Sequence, residues 1–423
     1  MQLSSAFVSV TSVHGKLENF TFHRVAAKDA YIMLDRPTGF RLLEIISSTE
    51  PSCLVNSPTM PAVSAAACCA AATPASEVVE DLFGFLRVLS DGTILRSPAE
   101  PVFCPTTFPT SHPSVQWKEA VYDKAKNLRV RMYKPAVAAA AAGGGSGDAS
   151  RNKLPVLVHF HGGGFCLGSC TWGNVHAFCL RLAADAGAVV LSAGYRLAPE
   201  HRLPAALDDG ASFMRWLRDQ SANAAEADAW LTEAADFRRV FVTGDSAGGT
   251  IAHHLAVRAG SAAAAEPGET TAAADPVTVL GYVLMMPFFG GVRRTSSEAE
   301  CPAEAFPNLD VVDRFWRLSL PAGATRDHPA ANPFGPDSPD LAAAELRPVL
   351  VVAGGLDLLR DRTVDYAEQL AAMGKPVELA EFAGKVHGFY LHEPGSEATG
   401  ELIQAVARFV DGCVAATEAA AAA

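Results

Sequence analysis

The segment GDSAGG (244–249) could supply a serine nucleophile. It follows an apolar run, RVFVTG (239–244), and precedes a helical pattern, TIAHHLAVRAG. A sharp turn between a strand and a helix holds a serine hydroxyl clear of the sheet, and small neighbours relieve the crowding of the strained backbone. Gly244 and Gly248 meet that need. We therefore expect Ser246 to be the nucleophile. The alternative is a phosphate-binding loop, but no Walker lysine follows these glycines.

A second glycine motif, HGGGF (161–165), directly follows the apolar run LPVLVHF (154–160). A run of glycines leaves backbone N–H groups free to point at a developing oxyanion. The N–H of Ala247, which follows the nucleophile, would complete such an oxyanion hole. We expect His161 to order this loop rather than to transfer protons. The alternative is a flexible glycine loop.

An acid and a base should follow the nucleophile, first Asp or Glu and then His. Asp357 comes just after the apolar run PVLVVAGG (348–355), and His387 lies in a loop after PVELAEF (376–382). A serine hydroxyl becomes a good nucleophile when a neutral imidazole accepts its proton, and the acid holds the imidazole tautomer. The order and the strand-end positions predict a triad with Ser246. His392 is the alternative base.

The other histidines and acids near these motifs have simpler interpretations. His253 and His254 are adjacent on the helix after the nucleophile, so they point in different directions and are expected in the core or at the surface. His159 lies within the predicted strand LPVLVHF and is expected to be structural. Asp361 and Asp365 fall on a helical pattern and should face solvent or pair with arginines. We expect no metal site and no cofactor.

Near-continuous apolar runs alternate with helical patterns from Val78 onward, which is typical of strands that are buried on both faces of a parallel sheet. The segment FLRVLSDGTILR contains an Asp-Gly pair between two short alternating runs and predicts a hairpin. The pattern predicts a doubly wound α/β fold with a mostly parallel sheet of about eight strands and flanking helices. A small cap would come from N-terminal and inserted segments.

Composition divides the chain into three parts. Residues 1–76 end in an Ala- and Ser-rich stretch with little periodicity and are predicted to be a poorly ordered extension. Residues 77–414 are predicted to form the catalytic domain. Within it, residues 289–347 interrupt the alternation, which predicts a cap or pocket wall beside the carboxyl ends of the strands. Residues 415–423 form an Ala-rich tail, and alanine favours helix.

The overall charge and the cysteines indicate which partners and which cellular compartment to expect. Net charge is −12 and the isoelectric point is about 5.5, so no basic surface predicts nucleic acid as a partner. Nine cysteines without a disulfide pattern favour a reducing compartment. The sequence contains no uninterrupted run of 18 apolar residues, so no membrane-spanning helix is predicted. We expect a cytoplasmic protein, or one shared between cytoplasm and nucleus, with an organelle as the alternative through the N-terminal extension.

The motifs together resemble the plant carboxylesterase branch of the hormone-sensitive-lipase-type α/β-hydrolases, which also contains the gibberellin receptors. The resemblance covers about residues 78–414. It rests on HGGGF (161–165), YRLAPEHRLPAALDD (195–209), GDSAGG (244–249), GLDLLRDR (355–362) and HGF (387–389). It implies an α/β-hydrolase fold and cleavage of small esters through an acyl-enzyme without a cofactor. By motif, the resemblance assigns the triad to Ser246, Asp357 and His387, and the oxyanion donors to Gly163, Gly164 and Ala247, with Gly162 as a further candidate.

Two positions separate the branches of this family. The receptors resemble the sequence around the serine but lack the triad histidine, which is present here as His387. A dehydratase branch carries threonine at the nucleophile, where this chain has Ser246. We therefore expect a serine carboxylesterase for small to medium carboxylic esters, including lactones and plant metabolite or hormone esters. The alternatives are a non-catalytic small-molecule receptor and a dehydratase.

Overall fold

The computed structural model divides the chain into two compact units, Met1–Thr73 and Pro74–Ala423. It describes residues 76–98, 108–136, 153–223, 225–261 and 275–422, together with the backbone of three earlier strands. These strands, β1 (Phe22–Arg24), β2 (Tyr31–Met33) and β3 (Arg41–Leu43), pair antiparallel in the order β1-β2-β3. The rest of the predicted extension 1–76 lies almost wholly outside the described residues.

The second unit contains a small antiparallel sheet and a large sheet. The small sheet consists of β4 (Val78–Leu82), β5 (Leu86–Leu89) and β6 (Ile94–Arg96), and the predicted Asp-Gly turn joins its last two strands. The strands of the large sheet are β7 (Val115–Asp123), β8 (Leu128–Pro135), β9 (Leu154–Phe160), β10 (Val189–Ala193), β11 (Ala235–Asp245), β12 (Val279–Met285), β13 (Val349–Gly354) and β14 (Val377–Phe382).

The large sheet has the order β14-β13-β12-β11-β9-β10-β8-β7. Strands β9 to β14 pair parallel to one another, whereas β8 pairs antiparallel with both β10 and β7. All residues of β10 and β13 are buried, as the continuous apolar runs require for strands covered on both faces. The predicted mostly parallel sheet of about eight strands is confirmed.

Helices cover both faces of this sheet. They are α1 (Gly173–Asp185), α2 (Ala205–Ala222), α3 (Ala229–Ala234), α4 (Ala247–Gly260), α5 (Ser296–Ala299), α6 (Leu309–Ser319), α7 (Arg360–Ala372), α8 (Phe389–His392) and α9 (Glu397–Ala422). Helices α1 and α9 contribute to one hydrophobic cluster, and α2, α4 and α7 contribute to the other. The Ala-rich tail continues α9 to Ala422. Within the described part of the chain, no helix is long and apolar enough to cross a membrane.

The segment 289–347 leaves the carboxyl end of β12 and carries α5 and α6. Trp316 of α6 stacks on Phe288 with ring centroids 4.1 Å apart. Arg362 of α7 donates to the carbonyl of Gly290 at 3.0 Å and pairs with Glu298 at 2.6 Å. These contacts attach the segment to the strand ends, beside the residues predicted to do chemistry.

The small sheet is joined to the same region by charged side chains. Arg96 of β6 donates to the carbonyl of Cys166, in the glycine loop, at 2.8 Å. Glu80 of β4 accepts from Arg314 of α6 at 2.6 Å. The small sheet and α6 therefore both contact the surroundings of the HGGGF loop.

Candidate active site

Ser246 lies at a sharp turn between β11 and α4. Its backbone has φ +51° and ψ −114°, a conformation that L-residues rarely adopt. Its N–H donates to the carbonyl of Met285 at 2.9 Å, and its own carbonyl accepts from the N–H of Phe288 at 2.9 Å. These bonds to the end of β12 hold the strained turn in place, as a nucleophile elbow requires.

The glycines around Ser246 allow two backbone segments to approach closely. A Cβ atom on Gly244 would overlap the backbone of Gly248, and a Cβ atom on Gly248 would overlap the carbonyl of Phe160. These are the two glycines that the sequence predicted would provide this space. Any side chain there would push α4 away from the strand ends.

Asp357 and His387 lie in the loops that follow β13 and β14. The Nδ1 atom of His387 is 2.8 Å from Oδ2 of Asp357, and Oδ1 of Asp357 accepts from the N–H of Leu359 at 2.9 Å. Two backbone bonds join the loops, from Gly355 to Phe382 and from Leu356 to Lys385, both at 2.9 Å. The acid is buried and both of its oxygens are occupied, so its orientation is fixed.

The surroundings of His387 favour its protonated form. Burial lowers the pKa of His387, but the Asp357 carboxylate beside it more than offsets this effect, so the pKa is raised above the ordinary value of 6.5. An ionised carboxylate can only accept, so Nδ1 carries a proton and Nε2 of the neutral ring has a free lone pair. That arrangement suits a general base.

The HGGGF loop presents backbone amides to the same place. Gly163 and Gly164 have φ of +114° and +59°, and the carbonyl of Gly163 accepts from Cys166 at 3.0 Å and from Leu167 at 2.9 Å. Among the described residues, no acceptor pairs with the backbone N–H of Gly163 or Gly164. The turn thus directs its carbonyl inward and leaves amide donors for a ligand, as an oxyanion hole needs.

His161 stabilises this loop through contacts of its ring and its backbone carbonyl. Its Nδ1 is 2.7 Å from the carbonyl of Gly162, its ring stacks on Tyr195 at 4.3 Å, and the Tyr195 hydroxyl donates to the His161 carbonyl at 2.7 Å. Burial lowers the pKa of His161 to about 4, so the ring is neutral at physiological pH. The geometry matches the expectation that His161 orders the loop.

Ser246, His387 and the three glycines of the HGGGF loop line one cavity. The other lining side chains are mostly apolar, and the polar ones among them are Asn174, Asp245 and His392. No lysine or arginine lines this cavity within the described ranges. The apolar lining consists of Leu167, Trp172, Val175, Phe288, Phe306, Pro307, Phe315 and Leu391. Ala247 does not line the cavity: it is fully buried at the start of α4, directly after Ser246.

Several of these lining residues were not predicted from the sequence. Trp172, Asn174 and Val175 come from the start of α1, and Leu391 comes from α8. Their only sequence signal was their position after the glycine loop and after HGF. Phe306 and Phe315 belong to the segment 289–347, for which a pocket wall was expected.

The alternative candidates have other contacts. His392 lines the cavity, but burial and the neighbouring His387 lower the pKa of His392, and the Asp357 carboxylate bonds His387 instead. His253 is buried and lies 2.9 Å from the Tyr366 hydroxyl, and Asp361 accepts from the N–H of Ser297 at 2.8 Å. The described residues contain no group of three or more ligating side chains that could hold a metal ion.

Comparisons with known proteins agree with this architecture. The sequence pattern of the alpha/beta hydrolase fold family matches residues 157–391. A gibberellin receptor of Arabidopsis thaliana is 36% identical over 69% of this chain and 80% of the receptor. Carboxylesterase 20 of the same plant is 34% identical over 76% of this chain and 94% of that protein. Among solved structures, an esterase of Pyrobaculum calidifontis is similar with a TM-score of 0.56 and 28% identity, over 71% of this chain and 86% of the esterase.

Proposed function

This chain belongs to the α/β-hydrolase family, in the branch of plant carboxylesterases and gibberellin receptors, and from that premise we propose that it is a serine carboxylesterase. The observation that carries the proposal is the bond between His387 and Asp357 at 2.8 Å, because His387 lines the same cavity as Ser246. A receptor needs a cavity but no base that is oriented by a buried acid.

The proposed reaction uses these groups in two steps. Nε2 of His387 takes the hydroxyl proton of Ser246 as Oγ attacks the ester carbon, and Asp357 stabilises the imidazolium. The N–H groups of Gly163, Gly164 and Ala247, with Gly162 as a further donor, bind the oxyanion. The C–O bond to the alcohol then breaks, and the alcohol leaves with the proton from His387.

The second step removes the acyl group. A water molecule gives a proton to His387 and attacks the acyl carbon, so a second tetrahedral intermediate forms in the same oxyanion hole. When it collapses, the bond to Oγ of Ser246 breaks, the acid leaves and the serine hydroxyl regains its proton. Both steps need a neutral imidazole at the start, and neither needs a cofactor.

The cavity lining supports neutral substrates of small to medium size. Trp172, Phe288, Phe306 and Phe315 offer aromatic surface, and burial of an apolar acyl or alcohol group against them is favourable. With no lysine or arginine among the described lining residues, a carboxylate on the substrate would lack a permanently charged partner. The side-chain amide of Asn174 can donate a hydrogen bond to a lactone oxygen. With a hydroxyl group it can either donate or accept. Neutral aromatic and alicyclic esters are therefore the proposed class.

The proposal is tested by hydrolysis of aryl esters of increasing acyl length. We expect turnover by the native chain, its loss in Ser246→Ala and His387→Ala, and labelling of Ser246 by a serine-reactive organophosphate. Substantial hydrolysis by folded Ser246→Ala would rule out the mechanism.

A second candidate is a small-molecule receptor, favoured by the similarity to the gibberellin receptor. It predicts tight ligand binding without turnover and a His387→Ala variant that binds as well as the native chain. A dehydratase, the third alternative, would use the oxyanion hole without an acyl-enzyme. Transient acylation of Ser246 by an aryl ester, detected by mass spectrometry, separates the esterase from both.

We propose the cytoplasm as the compartment. Cys166, Cys170, Cys179, Cys301 and Cys413 are free thiols among the described residues, which fits a reducing environment. A fusion of the full chain to a fluorescent protein tests this proposal. Fluorescence confined to plastids would favour the organellar alternative instead.

A further inference from the structure

A second acid and a second histidine lie buried behind the nucleophile. Nε2 of His159, on β9, is 3.3 Å from Oδ1 of Asp245, the last residue of β11. The other ring nitrogen of His159 lies 3.1 Å from the Thr243 hydroxyl. His159 is fully buried, and only 2% of Asp245 is exposed.

The contact between them at 3.3 Å is the main compensation that these two polar atoms have. Neither Nε2 of His159 nor Oδ1 of Asp245 makes a well-aligned hydrogen bond to any described residue. Burying a carboxylate costs several kcal/mol unless it is paired, and an apolar pair of the same volume is often no less stable. Stability alone therefore does not account for an acid and a histidine at this position, and their neighbours indicate another role.

Asp245 faces the catalytic cavity. It precedes Ser246 and lines the cavity together with Ser246 and His387. Its second oxygen, Oδ2, packs against Gly162, where an added Cβ would overlap it. One carboxylate oxygen thus points back to His159, and the other lies beside the oxyanion loop.

The charge of Asp245 also acts on the catalytic base. Burial has the largest single effect and lowers the pKa of His387, whereas the carboxylates of Asp357 and Asp245 both raise that pKa. Among the described residues, His392 of α8 also acts on His387, and it is neutral because its pKa is lowered. The buried Tyr390, whose pKa is raised, interacts with the carboxylates of Asp245 and Asp357. Beside Asp245 itself, the buried His161 is neutral.

We propose that Asp245, oriented by His159, is a positioning residue that stabilises the His387 imidazolium as a second carboxylate. The catalytic consequence rests on the esterase function proposed above, whereas the effect on the protonation of His387 does not. In a buried site the attraction between the two charges is weakly screened, so the imidazolium that forms in the transition state gains stability without direct contact between Asp245 and the ester.

The experiment compares Asp245→Asn with the native chain. Asparagine keeps the shape and can still accept from His159, but it removes the charge. The titration midpoint of His387 is measured from the low-field Nδ1 proton in NMR spectra, a signal assigned by its loss in His387→Ala. We expect the midpoint to fall by about one pH unit. We also expect kcat for an aryl ester to fall about ten-fold, with little change in KM.

Two further variants test the role of His159. In His159→Leu the carboxylate of Asp245 loses its partner and its fixed orientation, so the His387 midpoint should fall towards that of Asp245→Asn. In His159→Gln the side-chain amide can donate to Asp245, so the midpoint should stay closer to that of the native chain. Thermal unfolding of each variant checks the fold, and Asp365→Asn, which removes an exposed carboxylate of α7, is the matched charge control.

The outcomes separate this inference from the esterase proposal. If the native chain does not hydrolyse esters, the proposed function fails, but the NMR midpoint still decides the role of Asp245. A folded Asp245→Asn protein whose midpoint equals that of the native chain overturns the inference. An equal shift of the His387 midpoint in Asp365→Asn also overturns the inference, because the shift would then result from the overall charge of the protein.

Discussion

Nδ1 of His387 lies 2.8 Å from Oδ2 of Asp357, although 30 residues separate them in sequence. Helix α7 and strand β14 occupy most of that interval. Because β13 and β14 are parallel neighbours, the loops that leave their carboxyl ends meet at one edge of the sheet. The two side chains are thus held together by the strand order and by the backbone bonds between their loops.

Asp357→Asn should lower kcat by about 10⁴-fold with little change in stability. The amide can donate to Nδ1, which favours the tautomer that protonates Nε2, and Nε2 then cannot accept the serine proton. The measurement is kcat for an aryl ester with thermal unfolding in parallel. Asp365→Asn carries the same change at an exposed position of α7 and should keep native activity. A folded Asp357→Asn protein with a kcat near that of the native chain would contradict the assignment.

The pH dependence of kcat/KM should follow His387. The base must be neutral to accept a proton, so activity is lost as pH falls through its pKa. Because Asp357 raises that pKa, the midpoint of the acid limb should lie above 6.5, and the rate should fall about ten-fold per unit below it. The profile is measured with an uncharged aryl ester. A rate that stays constant down to pH 5 would mean that another group is the base.

Gly164→Ala should lower kcat by about 10²-fold or more. The new Cβ would overlap the ring of Phe315, and the residue must also keep φ at +59°, so the loop shifts and its amides leave the oxyanion position. Gly187→Ala is a matched control, since Gly187 has φ +58° and open space around it. It should lose only about 1 kcal/mol of stability and no activity.

The double variant Gly164→Ala/Phe315→Ala separates the two causes. Removal of the ring relieves the overlap but not the strain at φ +59°, so part of kcat should return. The measurement is the coupling in a double-mutant cycle between the two positions. Purely additive effects would show that Phe315 does not constrain the loop.

Arg362→Met should lower the free energy of unfolding by about 3 kcal/mol. Arg362 bonds the Gly290 carbonyl and the buried Glu298. Its loss leaves that carboxylate with Arg294, at 3.8 Å, as its remaining ion pair among the described residues, and it frees the segment 289–347. Urea denaturation measures the change. Arg360→Met removes a more exposed arginine, which pairs with Glu381, and should cost less than about 1 kcal/mol. Equal losses in the two variants would contradict the anchoring role.

Much of the fold was predictable because its signals are local. The run 154–160 predicted a strand, and β9 spans Leu154–Phe160, since a strand buried on both faces must be continuously apolar. The Asp-Gly pair predicted the turn between β5 and β6, because the turn needs residues that tolerate positive φ. Ser246, Asp357 and His387 were proposed from chain order and from their positions at strand ends.

The roles of residues outside the predicted catalytic groups were not predictable in this way. From the sequence, His159 was expected to be structural and Asp245 had no predicted role, because no spacing shows that β9 and β11 are neighbours. The start of α1 carried no sign that Asn174 would line the cavity. Contacts between segments distant in sequence depend on strand order and helix packing, which a local pattern does not encode.

The sequence by itself determined which residues could do chemistry, since a nucleophile, a glycine-rich loop, an acid and a base each need particular residue types beside particular elements. Tertiary structure decided which of them meet. The parallel pairing of β13 and β14 brought Asp357 to His387 rather than to His392, and the packing of α6 placed Phe315 against Gly164. The physical reason is that hydrogen bonds and electrostatic attraction depend on the distance between groups in space, whatever their separation along the chain.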